Sequence, residues 1–112
     1  MKKIVILGAG ESGTGAALLA KRQGYEVFVS DLGNIKEEYK KELESNHITF
    51  EQGRHSYDQI VQADEVIKSP GIPDDSNLIQ ELVTRQIPVI DEIEFAFRFH
   101  QKGKVVAITG TN

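Results

Sequence analysis

Four aliphatic residues, Ile4-Val5-Ile6-Leu7, run directly into Gly8-Ala9-Gly10-Glu11-Ser12-Gly13, and Ala16, Ala17, Leu18, Leu19 and Ala20 follow. An unbroken apolar run of this length reads as a parallel strand buried on both faces. A Gly-x-Gly-x-x-Gly turn between such a strand and a helix leaves the chain few options. Gly8 permits the tight turn, Gly10 lets a diphosphate come against the backbone, and Gly13 lets the helix pack closely on the strand. The helix N-terminus then offers unpaired N–H groups and a partial positive charge to an anion, with the Ser12 hydroxyl as an extra donor. Asp31 closes the second strand, near the position roughly 20 residues on where an acid reads a ribose hydroxyl. Two plainer readings stay open: the glycines serve packing only, or Asp31 simply caps the segment after it. Glu11 would repel a diphosphate, so it is expected in solvent or in the first helical turn, where an acid is favourable.

The remaining chain alternates in the same way. Lys21-Arg22-Gln23 closes the first helix with positive charge, and Gly24 caps it. Val27-Phe28-Val29 is the second strand. The charged stretch from Ile35 to Ser45 reads as the solvated face of an amphipathic helix. Ile48-Thr49-Phe50 is a short third strand, and Ser56 is expected to cap a brief helix reaching Ala63. Glu65-Val66-Ile67 is the fourth strand. Asn77 to Gln86 is helical, with Leu78, Ile79, Leu82 and Val83 at helical spacing. Pro88-Val89-Ile90 is the fifth strand. Asp91 to Phe99 is a helix with Phe95 and Phe99 on one stripe and Phe97 off it, and Val105 to Ile108 is a last strand. Strands alternating with helices at these intervals predict an α/β fold: a Rossmann-like parallel sheet of about five strands, with right-handed crossovers and helices on both faces.

Composition narrows the function. The 112 residues suit one domain with a real core. There is no cysteine, which removes disulfides and thiolate chemistry. No apolar run approaches the roughly 20 residues that span a bilayer, and Met1-Lys2-Lys3 precedes a run that ends in a glycine turn rather than a cleavage site. A cytoplasmic chain without a membrane partner is the expectation. A net charge of −4 disfavours a general nucleic-acid surface. His47, His55 and His100 show no metal or nucleophile spacing and are expected at the surface.

A second stretch, Ser69-Pro70-Gly71-Ile72-Pro73, places two prolines around a glycine at the carboxyl end of a strand. That edge of a parallel sheet is where ligands bind, so Ser69 and the Gly71 N–H are candidates to face the same ligand as the first turn. A rigid turn with no ligand is the alternative. At the far end, Ala107-Ile108-Thr109-Gly110-Thr111-Asn112 reads as a strand entering a phosphate-loop-like turn, with no Gly-Lys-Ser/Thr to complete it.

Taken in order, Gly8 to Gly13, Ser69 to Pro73, Glu92-Ile93-Glu94-Phe95 and Ala107 to Asn112 resemble the Mur ligases of peptidoglycan synthesis. The similarity is greatest to the branch that joins D-glutamate to UDP-N-acetylmuramoyl-L-alanine. The resemblance implies a three-domain enzyme, of which residues 1–102 are a Rossmann-like domain for the UDP-linked substrate. Residues 103–112 would open a central domain that binds ATP and Mg2+, with Gly110, Thr111 and Asn112 as the start of its phosphate loop. The reaction it implies phosphorylates the substrate carboxylate; the amine of D-glutamate then attacks the acyl phosphate. A free carboxylate is too poor an electrophile to react without that activation. Matched residue by residue, Gly10, Glu11, Ser12 and Gly13 fall on the diphosphate loop, Asp31 on an acid that contacts the uracil, and Ser69, Pro70 and Gly71 on the loop beside the nucleotide. The family has Thr-Arg after the acid where this chain has Leu32-Gly33, so Leu32 is expected to bind the UDP-linked substrate through its backbone, and side-chain contacts from there are not implied. No catalytic residue and no cofactor are expected in this stretch itself. The expected partner is UDP-N-acetylmuramoyl-L-alanine, and the expected state is a monomer. The first turn and Asp31 fit equally an NAD(P)-binding domain of a dehydrogenase or redox-sensing regulator, and a pure interaction module is a third class.

Overall fold

The computed structural model describes residues 1–100; the expected strand Val105 to Ile108 and the turn Gly110 to Asn112 lie outside the described residues. The elements follow in strict alternation: β1 Lys3–Leu7, α1 Glu11–Arg22, β2 Glu26–Asp31, α2 Glu37–Ser45, β3 Thr49–Gln52, α3 Tyr57–Ile60, β4 Glu65–Lys68, α4 Asn77–Thr84, β5 Val89–Asp91 and α5 Glu92–His100. They build one parallel sheet in the order β3-β2-β1-β4-β5. This is the α/β arrangement that the alternation predicts.

The central strand explains why helices are needed on both faces. Successive side chains of a strand point to opposite sides. Ile4 and Ile6 enter a core with Ala16, Ala17 and Ala20 of α1, Leu43 of α2 and Phe95 of α5. Val5 and Leu7 enter a second core with Ile60 of α3 and Leu78, Ile79 and Leu82 of α4. Ile4, Val5, Ile6 and Leu7 are all fully buried. Val83, expected on the apolar stripe of α4, is instead 57% exposed, because that helix buries only one narrow face. Phe97 is exposed, and Phe95 and Phe99 meet edge to face at 5.1 Å, as their spacing suggests.

Helix ends follow local chemistry. Gly24, at φ +93°, ends α1 after Lys21 and Arg22. Ser76 Oγ accepts the Ile79 N–H at the start of α4, and Asp91 Oδ1 accepts the Glu94 N–H at the start of α5. Several boundaries move. α1 begins at Glu11, inside the glycine motif, rather than near Ala16. α2 begins at Glu37, because Ile35 is buried outside the helix with its N–H donated to Gln52 Oε1. Ser56 precedes α3 but does not cap it: its hydroxyl donates to Glu51, and α3 is a single turn ending at Ile60. At the other side of the sheet, Arg98 of α5 makes a two-point pair with Glu65 of β4, at 3.1 and 2.6 Å. Among the described residues no helix is long and apolar enough to cross a membrane.

Candidate functional site

In a parallel sheet ligands gather where the strand order reverses, outside the carboxyl ends of the two strands that flank the reversal. Here those strands are β1 and β4. Their carboxyl ends, Leu7 and Lys68, release the two unusual stretches of the sequence, Gly8 to Gly13 and Ser69 to Pro73. Backbone bonds hold both in place: the Gly8 N–H donates to the Ser30 carbonyl at 2.8 Å, and the Ser69 N–H donates to the Leu7 carbonyl at 3.0 Å.

The three glycines are required for three different reasons. Gly8 has φ +100°, a left-handed conformation, and a Cβ there would sit 3.1 Å from Ser69 Cβ. A Cβ on Gly13 would fall 2.0 Å from the Gly8 carbonyl oxygen, so only glycine lets α1 rest on the turn. Gly10 has an ordinary φ of −77°, and a Cβ there would meet nothing within 4 Å. Its bareness therefore faces open space, as a backbone surface for a ligand requires. Gly10 is the N-cap of α1 and no side chain caps this helix, so the first N–H groups have no side-chain acceptor. Glu11 and Ser12 are exposed in the first turn, with Glu11 where its charge favours the helix dipole.

Asp31 closes the site from β2. Its Oδ2 accepts the Ala9 N–H at 2.8 Å, and its Oδ1 accepts the Gly33 N–H at 2.8 Å. It is thus both a brace for the glycine turn and a cap for the segment that follows. The opposite loop is braced internally: the Gly71 N–H donates to Ser69 Oγ at 3.3 Å, and Lys68 Nζ donates to the Ile72 carbonyl at 3.0 Å. Pro70 and Gly71 are exposed.

Two hollows meet at this loop. One, of about 350 Å³, is lined by Gly8, Asp31, Leu32, His55, Ser69 and Gly71, among others. The other, of about 400 Å³, lies between α1 and α5, with Ser12, Leu19, Pro70, Glu92 and Ile93 on its walls. Of the expected site residues, Asp31, Leu32, Ser69 and Gly71 line the first hollow and Ser12 and Pro70 the second, while Gly10, Glu11 and Gly13 line neither. A further hollow of about 370 Å³ lies at the opposite edge of the sheet, near Lys3 and Glu26, away from both turns.

His55 corrects an expectation. It is half-buried, not a surface residue, and its Nδ1 lies 2.7 Å from Ser30 Oγ. Ser30, fully buried on β2, stands in register with Glu51 on β3 and lies 2.7 Å from Glu51 Oε2. Glu51 also accepts the Ser56 N–H at 2.7 Å and the Ser56 hydroxyl at 2.6 Å. Burial pushes the Glu51 carboxyl up, but the bonds from Ser56, Ser30 and Arg54 outweigh it and hold the group below the usual carboxylate range. Burial likewise pushes His55 below its usual value, only partly opposed by the charges of Glu51 and Asp31. This cluster was missed from sequence; its one visible signal was a run of polar residues at the carboxyl ends of the second and third strands. His47 is exposed, as expected.

A model of the MurD N-terminal domain matches residues 3–78. The chain belongs to the MurD N-terminal domain family. It is similar to the UDP-N-acetylmuramoylalanine–D-glutamate ligase of Bacteroides thetaiotaomicron, with 58% identity over the whole chain and 25% of that protein. Among solved structures it is similar to a UDP-N-acetylmuramate-alanine ligase from Thermotoga maritima, with a TM-score of 0.74 and 26% identity over 91% of this chain and 23% of that one. It is also similar to a pseudomurein peptide ligase type C from Methanothermus fervidus, with a TM-score of 0.76 and 26% identity over 95% of this chain and 21% of that one. The chain thus spans about a quarter of the length of the relatives it matches. Family membership favours the ligase reading over the nicotinamide-dinucleotide alternative, which rested on the first turn and Asp31 alone.

Proposed function

We propose that this chain binds the uridine diphosphate end of UDP-N-acetylmuramoyl-L-alanine for a cytoplasmic ligase that adds D-glutamate to it. The observation that carries this is that Gly8, Asp31, Ser69 and Gly71 line one hollow, with the backbone at Gly10 open at the start of α1, in a chain of this family. The diphosphate lies on the uncapped N-terminus of α1, against Gly10, with backbone N–H groups of Glu11, Ser12 and Gly13 and the Ser12 hydroxyl as donors. Asp31 and Leu32 line the nucleoside end, and Ser69, Pro70 and Gly71 close over it from β4. Residues 1–102 form this binding unit, and residues 103–112 open a central domain.

ATP and Mg2+ act elsewhere in the longer enzyme, with Gly110, Thr111 and Asn112 beginning their phosphate loop. The chemistry that they supply is activation of the substrate carboxylate as an acyl phosphate. What this chain contributes is position, since holding the nucleotide end fixes where the distant carboxylate sits. A calorimetric titration with UDP-N-acetylmuramoyl-L-alanine tests the proposal. Heat of binding is expected, with none for NADH and no ATP hydrolysis; binding of NADH in place of the uridine nucleotide would overturn it.

A further inference from the structure

Of the stretches that carry the family resemblance, Glu92-Ile93-Glu94-Phe95 has no role in the account above. Phe95 belongs to the core, but Glu92 is an acid only 7% exposed. Its Oε2 would lie 3.3 Å from a Cβ placed on Gly13, which sets it beside the first turn of α1. The field at that helix end favours an acid. Yet among the described residues no ion pair and no side-chain hydrogen bond reaches this carboxylate. Nor is it sealed in: among the described residues no polar side-chain atom is cut off from both solvent and a partner, so the group opens on the hollow that it lines between α1 and α5. Apart from Glu92 and Ser12, the walls of that hollow are apolar. Ile93, 76% exposed, and Phe97, also exposed, stand one turn apart on the same side of α5.

An acid set among apolar walls suits a group with an apolar stem and a cationic head, as lysine and arginine side chains have. A cation there answers a charge that is costly to bury alone. Exposed apolar residues grouped around such a hollow mark a contact surface. The chain spans about a quarter of the length of the relatives it matches, and α5, one wall of the hollow, is the element from which it runs on to residue 101. A second copy of the chain does not fit. Two-fold pairing sets a patch against itself, and these walls carry an acid and no base. We propose that the hollow between α1 and α5 is where the central domain of the longer ligase docks. A lysine or arginine of that domain sets its charge against Glu92 and its stem against Leu19, Ile93 and Ala96. The inference rests on the reading of residues 103–112 as the opening of that domain.

The test is thiol labelling, since the chain has no cysteine of its own. Ile93→Cys is made in this chain and in the longer ligase that carries it, and modification is followed peptide by peptide by mass spectrometry. Val83→Cys is the control, on α4, which packs on the opposite face of the sheet. Ile93→Cys is expected to react about tenfold more slowly in the longer ligase, where reagent reaches it only through local opening, and Val83→Cys equally in both. Glu92→Gln in the longer ligase is expected to undo most of that slowing, since breaking a charge pair from one side leaves the other charge bare. The isolated chain with Glu92→Gln is expected to melt no lower than its parent, because the partner of Glu92 lies outside it. Equal reaction of Ile93→Cys in both proteins, matching slowing of Val83→Cys, slowing that survives Glu92→Gln, or a lowered melt of the isolated variant would each overturn the inference. So would slowing in the isolated chain that grows with protein concentration, the mark of a second copy. None of these measurements uses a nucleotide, so the titration with UDP-N-acetylmuramoyl-L-alanine can succeed where they fail and fail where they succeed.

Discussion

Asp31 Oδ2 accepts the backbone N–H of Ala9 at 2.8 Å, so the acid at the end of β2 holds the glycine turn at the end of β1. Its second oxygen holds Gly33 at the same distance. Bonds to an ionised acceptor are stronger than neutral ones, and Ala9 is nearly fully buried. Asp31→Ala leaves the Ala9 N–H without that acceptor. Urea denaturation is expected to show a loss of about 1.5–3 kcal/mol, with nucleotide affinity falling as well. A midpoint equal to the parent's would mean the turn is held by other contacts.

The glycines give a comparison within one motif. Gly13→Ala forces a methyl group to within 2.0 Å of the Gly8 carbonyl oxygen, where only movement of the backbone can relieve it. A cost of about 1–3 kcal/mol is expected, as for other overpacked sites. Gly15 lies on the same helix with nothing within 4 Å of its would-be Cβ. Gly15→Ala is expected to stabilise by about 0.5–1 kcal/mol through helix propensity. Gly10→Ala should leave the melting temperature nearly unchanged and weaken uridine diphosphate binding. Thermal melts of the three variants check the set, and equal effects of Gly13→Ala and Gly15→Ala would contradict it.

Acid should unfold the chain in two stages. His55 lies below its ordinary value of 6.5 when folded, chiefly through burial, so the unfolded chain takes up this proton first. Glu51 lies below its ordinary value of 4.5, because the bonds from Ser56, Ser30 and Arg54 outweigh its burial, and the same sign applies. Both contributions are complete above the unfolded values and are lost as pH falls through the folded ones. Stability is expected to decline from the region of 6.5 downward and more steeply below 4.5. Melts across that range, repeated with His55→Ala and Glu51→Gln, should flatten the upper and lower parts respectively. Stability that rises on acidification would refute the assignment.

Arg98 ties α5 to β4 by its two-point pair with Glu65, and its guanidinium also lies 5.3 Å from the centre of the Phe95 ring. Glu65 holds Arg98 firmly in its charged form. A lysine keeps the charge but loses the fork and the flat face. Arg98→Lys is therefore expected to cost about 1 kcal/mol, read by denaturant midpoint. A neutral result would place the weight of this junction on Phe95 packing alone.

Much of this structure was legible in the sequence because its signals are local. Ile4 to Leu7, the glycine spacing and Asp31 lie close enough together that strand, turn and helix follow from their order. The Ser69 to Pro73 loop was also readable, since two prolines mark a rigid turn wherever it falls. The Ser30–Glu51–His55 cluster was not. It exists because Ser30 and Glu51 sit opposite one another in the β2–β3 register, and nothing in a crossover of this kind announces a register. Ser56 shows the same limit: a serine before a helix is a good capping signal, but Glu51 takes its hydroxyl. α1 starts earlier than its apolar pattern suggests, because Gly13 and Gly15 weaken helix propensity while packing on the turn decides the matter.

The position of β1 has a consequence for how the chain is made. This strand is made before both of its partners: it pairs with β2 on one side and with β4 on the other, and Asp64 receives the Lys3 N–H across 61 residues. Until residues 65–68 emerge, the most apolar of the described strands has one open edge. Contacts so distant in sequence form slowly, and an open apolar edge is what holding chaperones grip and what aggregation exploits. Synthesis speed through this stretch is therefore a quantity to which the yield of folded protein should respond.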